Sequence, residues 1–265
     1  MTARARSCAY ARLVLRITDA RTGELVDATP ARRGLTRVEA HTGGFDPTNL
    51  RVLLVADLLV RALELGGTPV WALLDGERDL PELRAAGAAL GVRPFEEGRD
   101  AGPGLGEAQV LHVVSEGGAP PDGVRVAVAP VHREGTGGAP DDPAALTASN
   151  GPTEPAVLRL ALLTHPRSSP VRLDPAALDE AEETLGRWRG AVAGWAHRPS
   201  RPIPDTVRAD LRTAWEDDLD AVGVLRLLRA VERDPEVPDG ARFETYAYAD
   251  RLLGLDLTRD LGSLS

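Results

Sequence analysis

The sequence predicts an α/β domain followed by an α-helical bundle. Two observations carry that reading. Between residues 35 and 131 short apolar runs alternate with amphipathic stretches, which is the strand–helix–strand order of a parallel sheet. From Thr153 onward the apolar period becomes helical and stays so. The expected division is therefore 1–152 for the α/β domain and 153–265 for the helical one.

Residues 10–18 (YARLVLRIT) read as a strand, and DARTGELVD after them as a hairpin around Thr22-Gly23. Residues 35–40 (LTRVEA) give a first core strand, followed by the glycine-rich turn HTGGFDPTN. From Thr48 to Leu65, the apolar positions Leu50, Leu53, Leu54, Leu58, Val60, Ala62 and Leu65 cover most of a helix surface, as suits a helix lying on a sheet. Asp46 or Thr48 can cap it, and Pro47 suits its first turn. Gly66-Gly67 stops it. Residues 68–76 form the next strand and 79–91 an amphipathic helix, with 108–117 and 123–131 as further strands. Residues 96–107 and 132–155 are rich in Gly, Pro and Asp and read as loops.

In the second half, 155–165 and Asp174–Ala196 read as helices. The longer one carries Leu178, Ala181, Leu185, Trp188, Val192 and Trp195 at three- and four-residue spacing. A proline-rich break at 197–204 precedes one or two helices over 205–233, and a last helix runs from Gly240 to Leu253. No internal repeat is visible.

Composition bounds the function. The chain has 265 residues, 43% hydrophobic and 27% charged, an ordinary globular composition with enough apolar residues for a sizeable core. Every one of its 31 basic residues is arginine, so no side-chain amine can serve as a titrating base. The net charge of −9 opposes nucleic-acid binding except through a local basic patch. The single cysteine, Cys8, excludes an internal disulfide and a multi-cysteine zinc site, and is most simply an inert thiol. His41, His112, His132, His165 and His197 show no paired ligand spacing, so no metal site is expected and zinc is disfavoured. No apolar run reaches transmembrane length, and the N-terminus has too short an apolar core for a signal peptide, which makes a cytoplasmic protein the expectation.

One turn has anion-binding chemistry. HTGGFDPTN leads into a helix whose free N–H groups and dipole favour a phosphate, with Gly43 and Gly44 allowing close backbone approach. The bland alternative is a loop plus an ordinary Asp/Thr cap. The four tryptophans (Trp71, Trp188, Trp195, Trp215) sit at core spacing. Glu216, Asp217, Asp218 and Asp220 are read as helix-capping rather than metal-binding. Arg226, Arg229 and Arg233 form one helix edge, a solvated face or an RNA-phosphate contact.

PAVLRLALLTHPRSSPVRL resembles a stretch of cysteinyl-tRNA synthetases and their paralogue, the cysteine ligase of mycothiol synthesis. The matching residues are Leu158, Arg159, Leu162, Leu163, His165, Arg167 and Pro170. AWEDDLDAVGVLRLLRAV and FETYAYADRLLGLDL are similar to later parts of the same helical region, in the same order. VADLLVRALELGGTPVWALLDG resembles the family's F-D-x-x-x-R helix and the strand after it. The resemblance implies a Rossmann-like class I synthetase nucleotide-binding domain followed by a stem-contact or anticodon-binding-like helical domain, ATP as cofactor and an amino acid as substrate.

Several family motifs are changed. Counting back from Asp57, the HIGH tetrapeptide falls on Asp46-Pro47-Thr48-Asn49; a looser register places it on His41-Thr42-Gly43-Gly44. The KMSKS position reads Thr136-Gly137-Gly138-Ala139-Pro140, without a cation, and the zinc-bearing connective region is largely missing. By this carry-over the candidate nucleotide-binding residues are His41, Gly43, Gly44, Thr48, Asn49, His132 and Arg133, with no catalytic residue assignable. The sequence thus points to a cysteinyl-tRNA synthetase-like protein with lost or altered ligase activity. The alternatives are an active minimal adenylate-forming ligase and an RNA- or protein-binding helical module. ATP and an amino acid are the expected ligands, a protein is a further candidate partner, and tRNA and membranes are disfavoured.

Overall fold

The computed structural model describes residues 14–30, 34–98, 107–118, 122–133 and 154–262. Cys8, the Thr136–Pro140 segment and the expected domain boundary at 152/153 lie outside them. The described residues open with an antiparallel hairpin, β1 (Arg16–Asp19) and β2 (Glu24–Asp27). Gly23 closes its turn at φ +72°, a conformation open to glycine without a Cβ penalty.

Five strands then form a parallel sheet: β3 (Leu35–Thr42), β4 (Val70–Gly76), β5 (Glu96–Glu97), β6 (Glu107–Ser115) and β7 (Val124–Val128). The spatial order is β5-β4-β3-β6-β7. The chain starts in the middle, steps outward through β4 to β5, then crosses back to lay β6 on the other side of β3. That is the strand order of a Rossmann-like doubly wound sheet. β5 corrects the sequence reading, which placed 96–107 in a loop; its two glutamates carry no apolar signal and pair with Leu73 and Leu74 at the sheet edge.

Helix α1 (Pro47–Leu65) follows β3 and is buried nearly all round, because the sheet lies on one side of it and later helices on the other. Asp46 is its N-cap, accepting the Asn49 N–H at 2.8 Å. Helix α2 (Leu80–Ala89) packs beside it, with Gly87 close enough to Leu53 that an added Cβ would stand 2.7 Å from the leucine side chain. Along β3, Thr36, Val38, Ala40 and Thr42 are buried while the alternate positions are half-buried.

After the sheet, β8 (Val131–Arg133) pairs in parallel with β9 (Val171–Leu173), a strand the helical period hides. Five helices account for most of the rest: α3 (Pro155–Leu163), α4 (Pro175–Trp195), α5 (Asp205–Glu216), α6 (Ala221–Arg233) and α7 (Asp239–Leu253). One apolar core runs from Val38 and Ala40 through α1 to Trp188, Trp215, Leu228 and Tyr246.

Two buried arginines tie the halves together. Arg51 of α1 donates to the carbonyls of Ala129 (2.9 Å), Ser169 (2.8 Å) and Pro166 (2.7 Å). Burial lowers its guanidinium to about 10. Arg159 of α3 meets Asp57 of α1 at 2.8 Å and also donates to the Leu90 carbonyl.

Candidate functional site

In a doubly wound sheet, ligands bind beyond the carboxyl ends of the strands where the order reverses, here between β3 and β6. Near that position the half-buried face of β3 presents Glu39 and His41, while β6 presents His112 in register with Glu39. His41 Nε2 lies 2.8 Å from His112 Nδ1 and 3.5 Å from Glu39 Oε2, and His112 Nδ1 lies 3.1 Å from the same oxygen. Three donor atoms thus form a closed triangle.

Each corner is held from behind. Asp75, at the end of β4, accepts from His41 Nδ1 at 3.0 Å, which turns Nε2 toward the cluster. Arg37 pairs with the other oxygen of Glu39 at 3.1 Å. His112 is fully buried, and Gly123 makes room for its ring: a Cβ there would stand 2.8 Å from the ring carbon. Hydrogen bonds from His112, then His41, hold the Glu39 carboxyl well below the usual carboxylate range against the opposing effect of burial, with Arg37 adding its charge.

The sequence-derived nucleotide residues fall at the same end of the sheet. His41 is the penultimate residue of β3, and Gly43 and Gly44 follow the strand in the turn before α1. The Gly43 carbonyl accepts from Arg78 Nε at 3.2 Å, so the β4–α2 connection brings a cation to that turn, one the linear reading did not consider. Thr48 Oγ1 accepts the Val131 N–H at 3.1 Å, which fastens β8 to the first turn of α1. His132, exposed, and Arg133 therefore lie on a strand joined to that turn. Asn49 donates its side-chain amide to Asp46 Oδ2 at 2.5 Å. The polar side chains of Asp46, Thr48 and Asn49 are thus bonded within the protein, and none is cationic.

The residues that complete the polar triangle, Glu39 and His112, were not among the sequence candidates. The signal was the alternation of Arg37, Glu39 and His41 along one face of β3, where an apolar run would be expected.

Other motifs resolve structurally. Of the acidic cluster only Asp220 caps a helix, accepting the Gly223 N–H at 2.7 Å. Glu216 pairs with Arg212, Asp217 with Arg16 and Asp218 with Arg167, so ion pairing supplements the expected capping. Trp188 and Trp215 are buried and Trp195 is half-buried against Tyr246. Trp71 is only partly buried and donates to Glu96.

Fold and site together define a class: a parallel α/β protein of Rossmann-like order, with a polar histidine–carboxylate cluster near its switch point and a mainly helical C-terminal part. No family model matches the chain. Part of it is homologous to curated proteins named L-cysteine:1D-myo-inositol 2-amino-2-deoxy-alpha-D-glucopyranoside ligase. The relative from Acidothermus cellulolyticus is 37% identical over 105 residues, 39% of this chain and 25% of the relative. That from Streptosporangium roseum is 38% identical over 112 residues, 39% of this chain and 26% of the relative. That from Thermobispora bispora is 43% identical over 77 residues, 29% of this chain and 18% of the relative. The match spans about a quarter of the first two relatives. No helix among the described residues is long and apolar enough to cross a membrane.

Proposed function

We propose that this chain is a cysteine-ligase-like protein that no longer forms an aminoacyl adenylate in the ancestral way. Its Rossmann-like half would be kept as a scaffold and residues 153–265 as a stem-contact-like helical half. The observation that carries the reading is the first turn of α1. In the register counted back from Asp57, Asp46, Pro47, Thr48 and Asn49 would take the place of the HIGH motif, and none brings positive charge. Asp46 spends its carboxylate on the Asn49 N–H, and Thr48 spends its hydroxyl on Val131. Pro47 has no N–H to offer an anion. Phosphoryl and adenylyl chemistry depends on preorganised cationic or N–H donors at the leaving group, and a chain without lysine must find them elsewhere. These residues fit a triphosphate poorly, so no adenylation step is assigned to them.

The test is calorimetry with ATP, with and without cysteine, followed by cysteine-dependent ATP–pyrophosphate exchange. No binding at millimolar ATP and no exchange are expected. Exchange that disappears in a His41→Ala, Arg133→Ala double variant would overturn the reading and establish an active minimal ligase.

A further inference from the structure

We propose that Glu39, His41 and His112 form a binding site for one divalent transition-metal ion of the zinc class, with an open coordination position. The three inward atoms, Glu39 Oε2, His41 Nε2 and His112 Nδ1, are 2.8, 3.1 and 3.5 Å apart. A tetrahedral zinc with N and O ligands at ~2.0–2.1 Å has ligand–ligand edges of about 3.3 Å. The triangle therefore needs shifts of only a few tenths of an ångström to become one face of such a tetrahedron. Two imidazoles and one carboxylate are the donor set of open-site zinc and iron centres, which leave a position for water or an exogenous anion.

Two further observations point the same way. Ligating histidines usually donate their second N–H to a carboxylate, and His41 Nδ1 is bonded to Asp75 at 3.0 Å. Ligating carboxylates are themselves anchored, and Arg37 holds the free oxygen of Glu39 at 3.1 Å. A cation in the triangle takes a lone pair from each of the three inward atoms at once. The ligands come from two adjacent parallel strands, a rigid frame that costs little ordering on binding.

The experiment titrates the untagged chain with Zn²⁺ by calorimetry and with Co²⁺ by visible absorption. One ion per chain and ligand-field bands of low-coordinate Co²⁺ are expected. Glu39→Gln and His112→Gln should each abolish the bands. Asp75→Asn should weaken binding about 10–100-fold, as loss of an outer-shell partner does. His197→Ala, at an exposed position just after α4, should leave it unchanged. Circular dichroism checks that the buried His112 variant folds; Glu39→Gln and Asp75→Asn keep the test decisive if it does not. Absence of Co²⁺ bands, or uptake undiminished in Glu39→Gln, would overturn the site.

Discussion

Asp57 and Arg159 stand 102 residues apart in the chain and meet at 2.8 Å with both side chains fully buried. Arg61, at 2.8 Å, and Arg93, at 3.2 Å, complete the charge around the same carboxylate. This cluster joins α1 to α3 and, through the Arg159 bond to the Leu90 carbonyl, to the end of α2. The resemblance to cysteine ligases includes Arg159 among its matching residues, and Asp57 and Arg61 lie in the stretch similar to the family's F-D-x-x-x-R helix. Their role here is to hold the two halves of the chain together.

Removing Asp57 tests that role. Asp57→Ala leaves Arg159 buried without its partner and should cost about 3–5 kcal/mol in urea unfolding. Burial alone would raise this carboxyl, but Arg159 and Arg61 outweigh it and hold it below its ordinary value. A depressed acid stabilises the fold at pH above the ordinary carboxylate value, about 3.9, and that stability is lost as pH falls through the folded-state value. The gap between wild type and Asp57→Asn should therefore be full near neutrality and shrink below about pH 4.

Arg51 should act by a different mechanism, since its partners are carbonyls. Arg51→Met removes the donor from the buried Ala129 carbonyl and from the part-buried Ser169 and Pro166 carbonyls. A loss of about 1–3 kcal/mol is expected, the usual cost of leaving one buried group unsatisfied. Amide exchange should rise first at Ala129 and Val171, whose N–H groups bond across the same junction to Arg167 and Pro130.

Gly240, in the first turn of α7, faces backbone. A Cβ there would lie 2.0 Å from the Pro199 carbonyl oxygen. Gly240→Ala must move the proline-rich segment or the helix, and a cost of about 1–3 kcal/mol should appear as a lower thermal midpoint. Gly190→Ala, with nothing within 4 Å, is the control and should match or exceed wild-type stability.

Asp46 separates capping from ligand binding at α1. Asp46→Ala should cost about 1 kcal/mol of stability, the usual worth of an N-cap. If the turn has lost its nucleotide role, calorimetry should show no ATP binding in either protein.

Local pattern made much of this fold legible. The helix over α1 and the strand over β4 were readable because each buries its own apolar side chains, and burial writes a period into the sequence. Asp46, Pro47 and Gly66 marked the ends of α1 because capping is a matter of a few adjacent residues. β5 and β9 were not readable. They are two and three residues long and exist only because a neighbour offers a free edge.

By itself, then, the sequence determined the alternation of strands and helices, the Arg-only charge set and the partial kinship with cysteine ligases. Tertiary structure alone decided that His112 meets His41 from 71 residues away and that Glu39 completes the triangle. The register of β6 on β3 sets that meeting. Register depends on pairing, and no spacing along one strand records which side chains a neighbouring strand will bring beside it.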